Sequence, residues 1–373
     1  MKQWSRREIL ALFAESMAAM PAAAVLLSAK PSWAIKPKEK IKATFVLVGP
    51  VGDAGWNYAH DQGRQYMDKM LPYVSTAVTE NIPEGAEAER VITQYARKGY
   101  NLIFVTSFGY MDPTINVAKK YPETVFMYCS GFKTALNVGT YFGRMYEAKY
   151  LAGLIAGRMS KSDTLGYVAP HPIPEVIRHV NAYVLGVREG RPNAKIHVVF
   201  TNTWYDPAKE REVAESLLDI GSDIMSHGQD SPATIQAAAK RGKYVFGYDS
   251  DMTKFSPKYH LTAPMWNWGI IYVQIAKAVH AGTWKNDQIW PGMESGVVTL
   301  APFNKAIPAG VVSLVKKKRA AIESGKLKVF QGPIQDQRGK VRIPAGRSAT
   351  AKEMLSMKYF VRGVVGTLPG EKK

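Results

Sequence analysis

The chain holds one cysteine in 373 residues, and without a second there is no internal disulfide. Cys129 sits inside the apolar run TVFMYCSG and reads as a small core residue. No cysteine lies near the N-terminal segment to accept a lipid. Acids are also scarce: 31 Asp and Glu stand against 49 Lys and Arg, a formal charge of +18. The basic residues are scattered along helical stretches apart from a short KKKR at 316–319. There is no zinc-finger spacing, no basic zipper and no helix-turn-helix at the start, which argues against nucleic acid as a partner. The charge is then a matter of solubility and ligand steering. The seven histidines show no metal-ligand spacing, so no metal or cofactor is expected. Neither a Gly-x-Ser-x-Gly elbow nor a phosphate loop occurs. The sequence therefore assigns no catalytic residue and predicts a protein that is not an enzyme.

Long hydrophobic runs are missing as well, and no stretch reaches spanning length. The N-terminal SRREILALFAESMAAMPAAAVLLSAKPSWA carries the pair Arg6-Arg7, a mildly apolar stretch interrupted by Glu15, and a small-x-small exit at Ser32-Trp33-Ala34. That is the layout of a cleavable export signal, and the arginine pair resembles the twin-arginine class. Cleavage after Ala34 removes four basic and two acidic residues and takes the formal charge from +18 to +16. The expected product is periplasmic and unlipidated.

What is present from residue 41 onward is alternation. Short β-rich runs (IKATFVLV, NLIFVTS, TVFMYCSG) alternate with helical stretches, and the first strand is almost continuously apolar, as in a parallel sheet covered on both faces. The pattern restarts at DTLGYVAP. The sequence thus predicts an α/β protein of two doubly wound lobes joined by a hinge, with a ligand cleft between them. Lobe 1 is read as 41–160 plus about 264–293, and lobe 2 as 161–263 plus about 294–340. Residues 341–373 form a C-terminal extension in which AKEMLSMKYFVRGVVG reads as a helix.

Open α/β sheets bind ligands at the carboxyl ends of their strands. The loop after the first strand, GPVGDAGWNYAH, places Asp53, Trp56 and Asn57 there, and its counterpart in lobe 2, TNTWYDPAK, supplies Trp204 and Asp206. Two tryptophans on opposing cleft loops are suited to holding a flat ring between their faces. The loop SHGQDSP adds His227, Gln229 and Asp230 as candidates.

These blocks resemble the basic membrane protein family, the purine-nucleoside-binding proteins of ABC importers. DAGWN is similar to that family's Asp-x-Ser-Phe-Asn signature, and VAKKYPETVFMY, YLAGLIAGRMSKSDTLGYVA, GSDIMSHG, YVFGYDSDM and VFQGPIQDQRGK follow in order over about 41–340. The resemblance implies a type I periplasmic binding protein fold, a purine ligand, an ABC permease as partner and a monomer. It puts Asp53, Trp56, Asn57, Trp204 and either Asp249 or Asp251 at the ligand, with Phe108 and Asp112 as secondary contacts. The family's Thr-Ser-x-x-Lys, whose lysine contacts the sugar, is here LTAPMWN, with Ala263 for the serine and Trp266 for the lysine. Loss of that charge-assisted hydrogen bond, worth about 1.5–3 kcal/mol, favours a free base such as adenine or guanine over a nucleoside. The rival readings are a nucleoside ligand and, from another class, a periplasmic enzyme acting on nucleosides.

Overall fold

The computed structural model describes residues 35–369, so the export signal expected at 1–34 lies outside the described residues. In chain order the first half gives β1 (Ile41–Val46), α1 (Trp56–Met70), β2 (Val74–Thr79), α2 (Ala86–Arg97), β3 (Leu102–Val105), α3 (Met111–Ala118), β4 (Val125–Cys129) and β5 (Val138–Tyr141). After a crossing at 142–145 come α4 (Tyr146–Met159), β6 (Thr164–Ala169), α5 (Pro174–Gly190), β7 (Lys195–Phe200), α6 (Pro207–Asp219), β8 (Ile224–His227), α7 (Ala233–Lys240) and β9 (Tyr244–Val245). The chain then crosses twice more, through β10 (Pro264–Trp266), α8 (Trp268–His280), β11 (Gln288–Ile289) and β12 (Val298–Leu300). It ends in α9 (Ala309–Glu323), β13 (Ile334–Gln335), β14 (Val341–Ile343), α10 (Ala351–Leu355) and β15 (Val364–Val365).

Among the described residues eleven of these strands make two all-parallel sheets, while β10 pairs with β12 and β13 with β14, both antiparallel. One parallel sheet has the order β11-β5-β4-β3-β1-β2, the other β15-β7-β6-β8-β9. Strands β3 and β4 are buried at every residue, consistent with helices on both faces. Cys129 is a buried free thiol in β4. Each sheet reverses its strand order once, between β1 and β3 in the first and between β6 and β8 in the second. Such switch points open a crevice at the carboxyl ends of the strands.

Two details were hidden from the one-dimensional pattern. Helix α4 packs on α5 at backbone distance: an added Cβ would stand 2.0 Å from the Tyr183 carbonyl at Gly153, 2.1 Å from that of Val187 at Gly157, and 2.0 Å from that of Tyr150 at Gly186. The C-terminal stretch read as one helix is helical only over Ala351–Leu355. Gly363, at φ 107°, turns the chain, and Val364–Val365 join the second sheet beside β7. The β-branched valines favour that edge position over a helix.

Candidate functional site

The carboxyl ends of the two sheets face a shared cavity. Its lining comes from the residues that follow six parallel strands and β9: Val48 and Trp56 after β1, Thr106, Ser107 and Phe108 after β3, and Ser130 after β4. Opposite lie Pro170, Glu175, Val176 and His179 after β6, Trp204 after β7, Gly228 and Asp230 after β8, and Tyr248 and Asp249 after β9, with Tyr167 from β6 itself. The free space, open mouth included, is about 520 Å³.

The first-lobe loop is built around Asp53. Its Oδ1 accepts from the backbone N–H of Gly55 at 2.8 Å and of Tyr58 at 3.0 Å. Its Oδ2 accepts from the Asn57 N–H at 2.9 Å and the Asn57 amide at 2.7 Å. A carboxylate at the start of a helix satisfies free N–H groups and complements the helix dipole. Asn57 in turn accepts from Gly49 N–H at 3.2 Å. Both side chains are therefore turned into their own loop, and neither lines the cavity. What they present is Trp56, whose indole N–H donates to the Thr106 carbonyl at 2.7 Å, leaving its ring among the lining residues.

The same loop closes the cleft. Ala54, at φ 69°, is buried in the second lobe's apolar cluster with Val168, Ala214 and Met252. The Ser250 hydroxyl donates to the Ala54 carbonyl at 2.5 Å. The Asp230 N–H donates to the Trp204 carbonyl, which ties two second-lobe lining loops together.

The second-lobe side contributes acids. Asp230 lines the cavity with no hydrogen-bond donor to its carboxylate among the described residues, and burial, reinforced by Asp53 and Asp249, raises its pKa well above the ordinary value. Asp249 stands at φ 66°, and its Oδ1 accepts from the Trp266 indole N–H at 2.7 Å. Its Oδ2 is buried without a partner among the described residues. Burial raises this carboxyl too, against the opposing pull of the Trp266 bond and the Lys149 charge. Glu175 is held up to about 7 by burial despite Arg178 and a Ser130 bond. The Tyr167 hydroxyl and His179 Nε2 are likewise buried and unpartnered among the described residues.

Of the residues singled out from sequence, Trp56, Phe108, Trp204, Asp230 and Asp249 line the cavity. Trp266 stands behind it, stacked on Trp268 at 4.3 Å and edge-on to Trp56 at 6.0 Å. Asp251 is exposed and accepts from the Thr253 N–H and hydroxyl, closing its own turn. His227 ends β8 wholly buried, its pKa pushed down to about 3 by burial and by Lys149, outside the lining. Asp112 pairs with Lys133 at the surface. Sequence reasoning missed Tyr167, Ser130, Glu175, His179 and Tyr248. The rule that found Trp56 and Trp204 also covers the loop HPIPEVIRHV after β6, and it was available for Glu175 and His179.

Two doubly wound lobes that enclose a cavity at their switch points define the type I periplasmic solute-binding fold. The chain belongs to the Bmp family, the PnrA-like ABC transporter substrate-binding proteins, whose model matches residues 40–333. It is 45% identical over 333 residues to a purine-binding protein of Brucella abortus (strain 2308), covering 89% of this chain and 95% of that one. It is 38% identical to a Haloferax volcanii protein named provisionally as an ABC transporter glucose-binding protein, covering 89% and 82%. An ABC transporter solute-binding protein from Aeropyrum pernix K1 has the same fold, with a TM-score of 0.69 at 21% identity over 77% of this chain and 92% of that one. Proteins of this family bind a solute and deliver it to a permease; the family is one of substrate-binding proteins. Among the described residues no helix is long and apolar enough to cross a membrane.

Proposed function

We propose that this chain is the periplasmic receptor of an ABC importer for a purine, preferentially a free base such as adenine or guanine, exported by the twin-arginine-type leader at 1–34 and working as an unlipidated monomer. The observation that carries the reading is the pairing of aromatic faces with unsatisfied acceptors in one closed cavity. Trp56 and Trp204 come from opposite lobes, Asp230 lines the cavity between them, and Asp249 Oδ2 is buried without a partner among the described residues. A flat ring rich in N–H groups answers both needs, since each buried carboxylate left unpaired is costly. A free base offers a ring N–H where a nucleoside carries its sugar, which favours the base. The purine-binding relative in Brucella supports the same class.

Calorimetric titration of refolded residues 35–373 with adenine, guanine, adenosine, guanosine and glucose tests this. Tight binding of a base with weak nucleoside binding is expected. Preference for a nucleoside overturns the base assignment, and binding of glucose alone overturns the purine. Trp56→Ala and Trp204→Ala are each expected to weaken base binding about tenfold or more, since stacking contributes roughly 1–3 kcal/mol per face. Undiminished affinity in both variants, with unchanged thermal unfolding, removes the stacking model.

A further inference from the structure

We infer that Lys149 is a positioning residue of this cavity: from behind the lining it fixes the loops that bear Asp230 and Asp249 and turns a positive charge toward the Asp249 carboxyl. The inference rests on the purine reading above for its ligand, though its geometry does not.

Lys149 lies on α4, the helix that follows the first crossing, and is wholly buried. It does not line the cavity. Its ammonium donates to the His227 carbonyl at 2.7 Å, the last residue of β8 and the root of the loop carrying Asp230. It also sits 3.6 Å from the centroid of Tyr248, the residue before Asp249, and 5.4 Å from that of Tyr167. One cation thus grips the roots of two loops, one bearing Asp230 and the other Asp249, whose Oδ2 is buried without a partner among the described residues. A buried ammonium is retained only where other groups offset its lost hydration. Here the offsets are a carbonyl, two ring faces and the charge of Asp249.

The groups around it single out Asp249 as the partner. The titratable and charged groups facing Lys149 are Tyr167 from β6, His179 from α5 (with the Arg178 cation beside it), His227 from β8, and Tyr248 and Asp249 after β9. Burial holds both histidines neutral and both tyrosines protonated. Asp249 is the acid whose charge acts on Lys149 and is acted on by it, while the carboxyls of Asp53, Glu175 and Asp230, which also face Asp249, push it the other way. Burial brings Lys149 down to about 7 against that attraction, so the cation is present from neutral pH downward. The sign follows directly. Removing the cation raises the pKa of Asp249 further, so the carboxylate protonates at higher pH and the acid limb of ligand binding moves upward.

The test uses Trp266, whose indole N–H is bonded to Asp249 Oδ1, as a ligand-free reporter. The ¹⁵N–¹H indole signal of Trp266 is followed from pH 5 to 9 in the full chain and in Lys149→Met, and adenine affinity is measured over the same range in both. In Lys149→Met the Trp266 transition and the acid limb should both move upward, with roughly tenfold weaker adenine binding at pH 7. In an Asp249→Asn background the added Lys149→Gln change, which keeps a donor for the His227 carbonyl and removes only the charge, should be under about twofold, since coupled residues are not additive. Lys149→Gln, which keeps a donor for the His227 carbonyl but no charge, should shift the transition equally and serves if Lys149→Met does not fold. An unmoved Trp266 transition, or a full additional loss in the Asp249→Asn background, overturns the inference. An intact shift without any adenine binding sinks the purine reading alone.

Discussion

Gly55→Val is expected to leave a folded protein that has lost roughly a hundredfold in ligand affinity. A Cβ at position 55 would lie 2.3 Å from the Asp230 carbonyl oxygen and 2.5 Å from the Asp230 Cα. The obstacle is backbone of the opposite lobe, which cannot swing aside as a side-chain tip can. The neighbouring Ala54 is already seated in the second lobe's apolar cluster, with Ser250 bonded to its carbonyl, so the loop has no room to retreat while the cleft is shut. Each lobe's own core is untouched by the substitution. Overpacking of this kind costs about 3 kcal/mol or somewhat more, which corresponds to roughly two decades in dissociation constant. The check is calorimetric affinity beside a thermal melt without ligand. A normal melt with normal affinity would mean that the ligand is held without the lobes meeting at Gly55.

Gly153→Ala should strike stability instead. The methyl group would stand 2.0 Å from the Tyr183 carbonyl, where α4 and α5 touch backbone to backbone. Alanine gains about 1 kcal/mol over glycine in a helix interior, while forcing the helices apart costs about 3 kcal/mol or more, so the clash wins. The urea midpoint of the purified protein should fall clearly. A midpoint equal to the parent's would show that the two helices can separate without loss.

The outcome for the loop after β1 shows what a motif does and does not disclose. Asp53, Trp56 and Asn57 stand together in the sequence, yet only Trp56 lines the cavity. The acid and the amide are consumed in closing the start of α1, where four N–H groups need acceptors. The reverse holds in the second lobe. Asp249 and Asp251 are two residues apart, but the left-handed backbone at Asp249 turns it toward the cavity while Asp251 closes an exposed turn. Trp266, read as standing in place of the family's sugar-contacting lysine, holds Asp249 from behind, with its indole stacked on Trp268.

By itself the sequence determined the alternation of strands and helices, the two-lobe class and the family. Those rest on local periodicity and on ordered blocks that survive without three-dimensional information. It also located the loops at the strand ends that carry the aromatic and acidic residues. Only the tertiary structure decided which of those side chains meet. Lys149 reads in sequence as one more cation on a helix, yet it is buried between β8, Tyr248 and Tyr167. Gly55 reads as a turn residue, yet it is the point where the opposite lobe arrives. The physical reason is common to both: burial and lobe-to-lobe approach depend on residues some 80 to 175 positions away, and no local spacing encodes that distance.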